Sequence, residues 1–217
     1  MLLTRRALLI GAPAILSGCG TRQKVDETSV PNIDVAHMAM YAALDGEPYP
    51  VPAVDISEMD PRFLRQAVPY PTRQQPGTVV VDLEQRYAYL VGEHGRALRY
   101  GVGVGKQEAF NFRGAALVGR KAHWPRWTPT PNMISREPDR YARFAGGLAG
   151  GPDNPLGPRA LYLFRDGTDT LYRLHGTVEP WTIGTTVSSG CVRLINQDII
   201  DLYRRVPVGS KVVVLPT

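Results

Sequence analysis

From Gly77 onward, short apolar runs are separated by turn-forming residues, and most of the runs have the two-residue period of strands. Thr78 to Asp82 is β-branched and ends in a turn signal. Arg86 to Val91 alternates, placing Tyr87, Tyr89 and Val91 on one face. Glu93-His94-Gly95 interrupts the pattern before Ala97 to Val104, so three strands are predicted to form a meander. Leu117 to Ala122 reads as a further strand. Leu161 to Arg165 and Leu171 to His175 flank Asp166-Gly167-Thr168-Asp169-Thr170, a hairpin that puts His175 at a strand end. The period changes after Asn196. Ile199, Ile200, Leu202, Tyr203 and Val206 recur at helical spacing, with Asn196 as the expected N-cap and Pro207 and Gly209 as stops. Lys211 to Leu215 is the closing strand. Many short strands, one clear helix and no internal repeat predict a mostly-β, sandwich-like domain over residues 77–215.

Two stretches lack this periodicity. Residues 20 to 76 carry Pro31, Pro48, Pro50, Pro52, Pro61, Pro69, Pro71 and Pro76, which forbid long regular elements. They read as a tether and irregular arm (19–76) in which only Ser57 to Val68 is compatible with a short helix. The pattern leaves open whether this arm packs on the domain or hangs free. His123 to Pro158 is rich in Trp, Pro and Gly and is too long for a plain connection, so a lid or binding surface is expected. Trp124 and Trp127, near its start, suit either a core or a pocket wall.

Composition changes the picture in two places. The 217 residues hold one ordinary domain with appendages, and the formal charge of +5 is spread among acids. No basic block interleaves with aromatics, so nucleic-acid binding is not expected; a basic surface suits an anionic polymer such as the cell wall. At the N-terminus, Arg5-Arg6 precedes the apolar run Ala7 to Leu16, which has the length of a signal peptide and is too short to span a bilayer comfortably. Residues 1–18 are therefore expected to be an export signal, with Thr4-Arg5-Arg6-Ala7-Leu8-Leu9 also similar to a twin-arginine signal. Leu16-Ser17-Gly18-Cys19 resembles the lipobox of bacterial lipoproteins, which implies lipidation of Cys19 as the mature N-terminus. Cleavage there removes Arg5 and Arg6 and no acids, taking the balance from +5 to +3.

The chain has two cysteines, so lipidation of Cys19 leaves Cys191 with no cysteine to bridge to. Cys191 closes a stretch that reads His175-Gly176-Thr177, then Ser188-Ser189-Gly190-Cys191-Val192-Arg193. An imidazole can take a thiol proton and leave a thiolate that attacks carbonyl carbon. The sixteen positions between His175 and Cys191 exclude local helix geometry, but a strand end and a following loop can bring them together. Gly190 allows close backbone approach, the amides around it can hold an oxyanion, and Arg193 can fix a carboxylate by paired hydrogen bonds. Taken singly, Cys191 also suits a core, His175 a satisfied polar site and Arg193 a surface charge. One Cys and one nearby His fall short of a metal-ligand set, so neither metal nor organic cofactor is expected.

His-Gly-Thr, a spacer, then Ser-x-Gly-Cys-Val-Arg-Leu closely resembles the active-site signature of the L,D-transpeptidase catalytic domain of the YkuD type. The resemblance extends to Val79-Val80-Val81-Asp82-Leu83, to Gly101-Val102-Gly103-Val104-Gly105, and to Val206-Pro207-Val208-Gly209 with Val212-Val213-Val214-Leu215. It implies that Cys191 is the nucleophile, His175 the base and Gly176 the residue whose carbonyl orients that base. It further implies that Arg193, Ser189 and Gly190 lie at the substrate end of the pocket, with Trp124 and Trp127 shaping a lid. Many members carry a histidine where this chain has Ser189, which offers only a hydroxyl. The implied activity is periplasmic acyl transfer on peptidoglycan tetrapeptide stems, to another stem's amine or to a protein lysine. The lipid anchor would tie the chain to a membrane, and Gly20 after Cys19 leans towards the outer one. A carboxypeptidase or endopeptidase on the same fold, a sortase, and an inactive wall-binding lipoprotein are the alternatives. The sortase is the poorest fit, because its cysteine follows a Thr-Leu-x-Thr pattern.

Overall fold

The computed structural model describes residues 33–106, 111–188 and 190–215, with only the backbone considered at Val187 and Ser188. The expected export signal, Cys19 and Ser189 lie outside the described residues. Among the described residues there are eleven strands: β1 Gln66–Pro69, β2 Val79–Asp82, β3 Tyr87–Val91, β4 Arg96–Gly101, β5 Val104–Gly105, β6 Gly114–His123, β7 Arg159–Arg165, β8 Thr168–His175, β9 Thr186–Ser188, β10 Val192–Arg193 and β11 Lys211–Val214. The helices are α1 Val35–Met40, α2 Pro131–Arg136, α3 Pro138–Tyr141 and α4 Asn196–Arg205.

Nine strands form one mixed sheet in the order β1-β4-β3-β2-β11-β6-β7-β8-β10, while β5 and β9 make a separate parallel pair. The alternation seen in the sequence decides the layering. Tyr87, Tyr89 and Val91 of β3 pack on one side with Val80 and Val68, and Ala88 turns to the other. That second side joins Val79, Val81 and Tyr100 to Val118, Leu161, Leu163, Leu174 and Val212. Residues from both halves of a single sheet thus share one core cluster, so the sheet folds over on itself. The sandwich-like character comes from one curled sheet rather than from two separate ones.

Helix α4 closes this core with Ile199 and Leu202, joined by Val206 at its C-cap, all fully buried. Its last carbonyls do not go unsatisfied. Lys121 of β6 donates from Nζ to the carbonyls of Tyr203 (2.6 Å) and Val206 (2.7 Å), placing a cation at the helix C-terminus. The N-terminal end departs from expectation. Ile195 occupies the cap position without a side-chain bond, and Asn196 is the first helical residue. Its side chain is used elsewhere, in the site described below.

The arm packs on the domain. Strand β1 adds to the sheet edge beside β4, pairing Gln66 with Arg99 and Pro69 with Arg96. Proline suits that position because an edge strand needs no second ladder of donors. Where a short helix was conceivable, only a single helical turn at Pro61–Phe63 precedes this strand. Tyr41, Ile56 and Leu64 are buried with Ile183 and Ile195 in a second cluster, at about 1.5–3 kcal/mol for each large apolar side chain. Polar contacts add direction. The Tyr41 hydroxyl donates to Asp198 of α4 (3.1 Å) and accepts from the Arg65 amide (2.6 Å). Gln197 donates to the carbonyls of Ala42 (3.2 Å) and Pro52 (2.8 Å).

Candidate active site

Strand β8 carries His175 at its end, and β10 begins one residue after Cys191. The two strands pair in parallel, with Val192 opposite Leu174 and Arg193 opposite His175. Leu174 and Val192 both point into the core. The two-residue period then turns Arg173 and His175 of β8 to the opposite face, together with Cys191 and Arg193. All four line one cavity of about 740 Å³. Residues sixteen apart in sequence therefore share a wall because a parallel strand pair brings them into register.

His175 is 5% exposed. Its Nδ1 lies 2.6 Å from the Gly176 carbonyl, an acceptor, so Nδ1 carries the proton and Nε2 has the lone pair. Gly176 must lack a side chain. A Cβ there would stand 2.3 Å from Asn196 Oδ1 and 2.9 Å from Pro158 Cδ. The Asn196 oxygen accepts from the Thr177 amide (2.9 Å), and the Leu194 amide donates to the His175 carbonyl (2.8 Å). The residue expected to cap α4 instead holds the His-Gly-Thr segment in place. Burial and then the charge of Arg193 depress the imidazole to about 3, against a smaller upward pull from the Gly176 carbonyl.

Cys191 is half-buried and is the single cysteine among the described residues. Burial pushes its thiol above the ordinary range, while the Arg173 and Arg193 guanidinium groups pull it down. Its Sγ lies 3.7 Å from the Leu171 carbonyl, an acceptor that suits a thiol and not a thiolate. Leu171 has φ 64°, the left-handed region, beside the irregular pairing of β7 with β8 between Tyr162 and Phe164. This local departure from strand geometry directs the carbonyl at the sulfur. Both shifts favour a neutral thiol and a neutral imidazole. On the other side of Cys191, Gly190 has φ 127° and is buried, a conformation that disfavours any side chain.

Arg193 pairs with Glu179 at 2.8 Å. A substrate carboxylate there must share the guanidinium with Glu179 or displace it. Gly103 and Arg193 exchange both backbone hydrogen bonds, each 2.9 Å, so the Gly101 to Gly105 run ties the meander to the site. Glu179 and Arg173 were not singled out from the sequence. Arg173 was accessible through alternation, since it sits two residues before His175 on one strand.

The expected lid contains two short helices, α2 and α3, and Trp127, Tyr141 and Phe144 line the cavity from it. Asn154, 1% exposed, fixes its base. Its amide donates to the carbonyls of Pro125 (3.0 Å) and Ala149 (2.9 Å), and its oxygen accepts from the Leu156 amide (2.9 Å). Trp127 packs edge-on against Phe144 at 5.6 Å. Trp124 lies apart from this cavity. Its indole donates to Glu47 (3.1 Å), the carboxylate paired with Arg159, and its ring meets Tyr49 at 5.0 Å. Held there by the arm, it lines a second cavity of about 290 Å³ with Trp181. No cluster of three His, Cys, Asp or Glu able to hold a metal occurs among the described residues.

The family model described as YkuD, L,D-transpeptidase catalytic domain, matches residues 76–214. A probable L,D-transpeptidase of Escherichia coli K12, ErfK/SrfK, is 36% identical over 146 residues, covering 67% of this chain and 46% of its own length. A second from the same strain, YbiS, is 39% identical over 145 residues, covering 65% and 45%. The chain spans about half the length of the curated relatives it matches. A crystal structure from Brucella melitensis, described as a probable carnitine operon oxidoreductase, is 49% identical with a TM-score of 0.50. It covers 74% of this chain and 99% of its own.

Proposed function

The chain belongs to the YkuD family of L,D-transpeptidase catalytic domains, and from that premise we propose that it is an exported cysteine acyltransferase acting on peptidoglycan stem peptides. The observation that supports this reading is that His175, at the end of β8, and Cys191, immediately before β10, line one cavity, with the His175 Nδ1 committed to the Gly176 carbonyl. In the proposed cycle, Cys191 Sγ attacks the carbonyl that follows the L-centre of the stem's diamino acid. His175 Nε2 takes the thiol proton, and backbone amides beside Gly190 hold the oxyanion. Collapse breaks the peptide bond, and His175 returns the proton to the departing amine of the terminal D-alanine. The tripeptide remains as a thioester on Cys191. An acceptor amine then attacks the thioester and loses its proton to His175, and the thiolate that leaves is reprotonated from the imidazolium.

Arg193, Gly190, Ser189 and Trp127 are assigned to substrate placement, with no part for Trp124. Cys19 is assigned as the lipidated residue of a periplasmic lipoprotein leaning towards the outer membrane, and the acceptor is a stem amine or a protein lysine. The redox name of the Brucella protein does not transfer readily. The Gly101 to Gly105 run spans the end of β4 and the whole of β5, whereas a dinucleotide-binding turn opens a helix. Incubating the enzyme with tetrapeptide stems, with and without an amine acceptor, tests the proposal by product mass. Cross-linked product supports acyl transfer. Tripeptide alone, even with amine present, would make it a carboxypeptidase.

A further inference from the structure

The second cavity, of about 290 Å³, has no part in the proposed cycle. The arm lines it at Pro50 and Pro52, and the run that follows His175 lines it at Thr177, Val178 and Trp181. Among the described residues that line it none is charged, whereas the Cys191 cavity is lined by arginines and by Asp153 and Glu179. Val178 lines both, so the two cavities adjoin along this run. Trp181 is 70% exposed, while Trp124 and Trp127 are partly buried. A ring of that size left in water forfeits the gain of burial. Its backbone is nevertheless firmly held. The Thr182 amide donates to the Glu179 carbonyl (3.0 Å) and the Ile183 amide to that of Pro180 (3.1 Å), and both Thr182 and Ile183 are buried. A tight turn thus offers an exposed indole from a fixed base. Trp124, which has no part in placing the stem, forms another wall, its indole held by Glu47.

Two neutral polar groups belong to the lining. Thr177 is 3% exposed, and its hydroxyl oxygen accepts from the Glu179 amide (3.0 Å), which leaves the hydroxyl proton to donate. Asn196 gives its oxygen to the Thr177 amide (2.9 Å), and its Nδ2 has no acceptor among the described residues. An uncharged cavity with an exposed flat ring and two neutral donors suits a neutral ligand that has an apolar face and polar edges. A pyranose has that form. Its axial C–H bonds make a face apolar and meet the electron-rich face of an indole, while hydroxyl and acetamido groups project from its rim. A volume of about 290 Å³ is at the lower end for ligand sites and fits one such ring better than a length of peptide. Resting on the peptidoglycan reading above, we propose that this cavity is a subsite for an acetamido sugar of the glycan strand, the sugar that bears the stem held in the Cys191 cavity. The stem joins its sugar through an amide on a lactyl group, so the sugar carries no free carboxylate and matches an uncharged wall. The stem's own carboxylates do not match it. Stacking on Trp181 supplies affinity, and the junction at Val178 lets one ligand fill both cavities.

The test compares, on the full chain, two donors that share one tetrapeptide: a stem bearing the disaccharide, and the same stem carrying only the lactyl group. D-alanine release should show a KM about three- to tenfold lower for the sugar-bearing donor at similar kcat, the range expected for one aromatic stacking contact. Because the subsite is uncharged, added salt should leave that ratio unchanged. Trp181→Ala should bring the ratio close to unity, while Trp181→Phe should retain part of it. The peptide-free disaccharide should alter the tryptophan emission of the wild type and not that of Trp181→Ala. Circular dichroism reports the folding of each variant. Equal KM values, or a ratio that survives in Trp181→Ala, overturn the subsite and leave the acyltransfer reading in place. If neither donor releases D-alanine, acyl transfer falls instead, and a wild-type emission that the disaccharide leaves unchanged overturns the subsite as well.

Discussion

His175 and Cys191 line one cavity, and burial favours the neutral form of each, which sets how the thiol should react. With the thiol pushed up by burial and the imidazole held near 3, few thiolates exist at neutral pH without substrate. The alkylation rate of Cys191 by iodoacetamide should climb with pH to beyond the usual thiol range, without the acid plateau of a preformed ion pair. A flat profile between pH 5 and 7 would contradict this. His175→Ala should lower stem acylation by a factor of about 10²–10⁴, measured as single-turnover thioester formation. Asn196 belongs at the same scale, because its oxygen holds the Thr177 amide. Asn196→Ala should reduce acylation with little change in the thermal midpoint, whereas a purely structural role would move the midpoint first. At this scale the motif alone made Cys191, His175 and Gly176 candidates, and Cys191 and His175 line one cavity; their roles are proposals. Asn196 was misread as a cap because nothing local reveals that its side chain serves an amide nineteen positions upstream.

Among elements, α4 and the arm are joined through buried charge. Asp198 is fully buried, and burial pushes its carboxyl up to about 7 against the pull of Arg65. The folded state then holds a proton that the unfolded state has released between about pH 4 and 7, so stability from this group falls as pH rises through that window. His175 acts in the opposite sense: its depressed folded value adds stability as pH rises from about 3 to 6.5. Comparing wild type with Asp198→Asn cancels the histidine contribution. The wild type should lose more thermal stability than Asp198→Asn between pH 5 and 8; parallel losses would remove Asp198 from this role. Leu64, 0% exposed, anchors the arm, and Leu64→Ala should cost about 2–5 kcal/mol in urea unfolding. The long alternating strands and α4 were readable from period alone. Strands β9 and β10 were not, because two or three residues beside glycine carry no period. The docking of the arm was also hidden, since Tyr41, Ile56 and Leu64 are isolated apolar residues among prolines.

At the scale of the whole molecule, one curled sheet brings the meander, the hairpin and the motif to a common core, and leaves one face of β8 and β10 towards the Cys191 cavity. The central claim is that Cys191 carries the stem as a thioester, and intact-protein mass spectrometry after mixing with a tetrapeptide stem tests it most directly. The account predicts a wild-type adduct with the mass of the tripeptide acyl group, localised to Cys191, with release of D-alanine and no adduct on Cys191→Ala. An adduct that persists on Cys191→Ala, or D-alanine release by that variant at the wild-type rate, would contradict it.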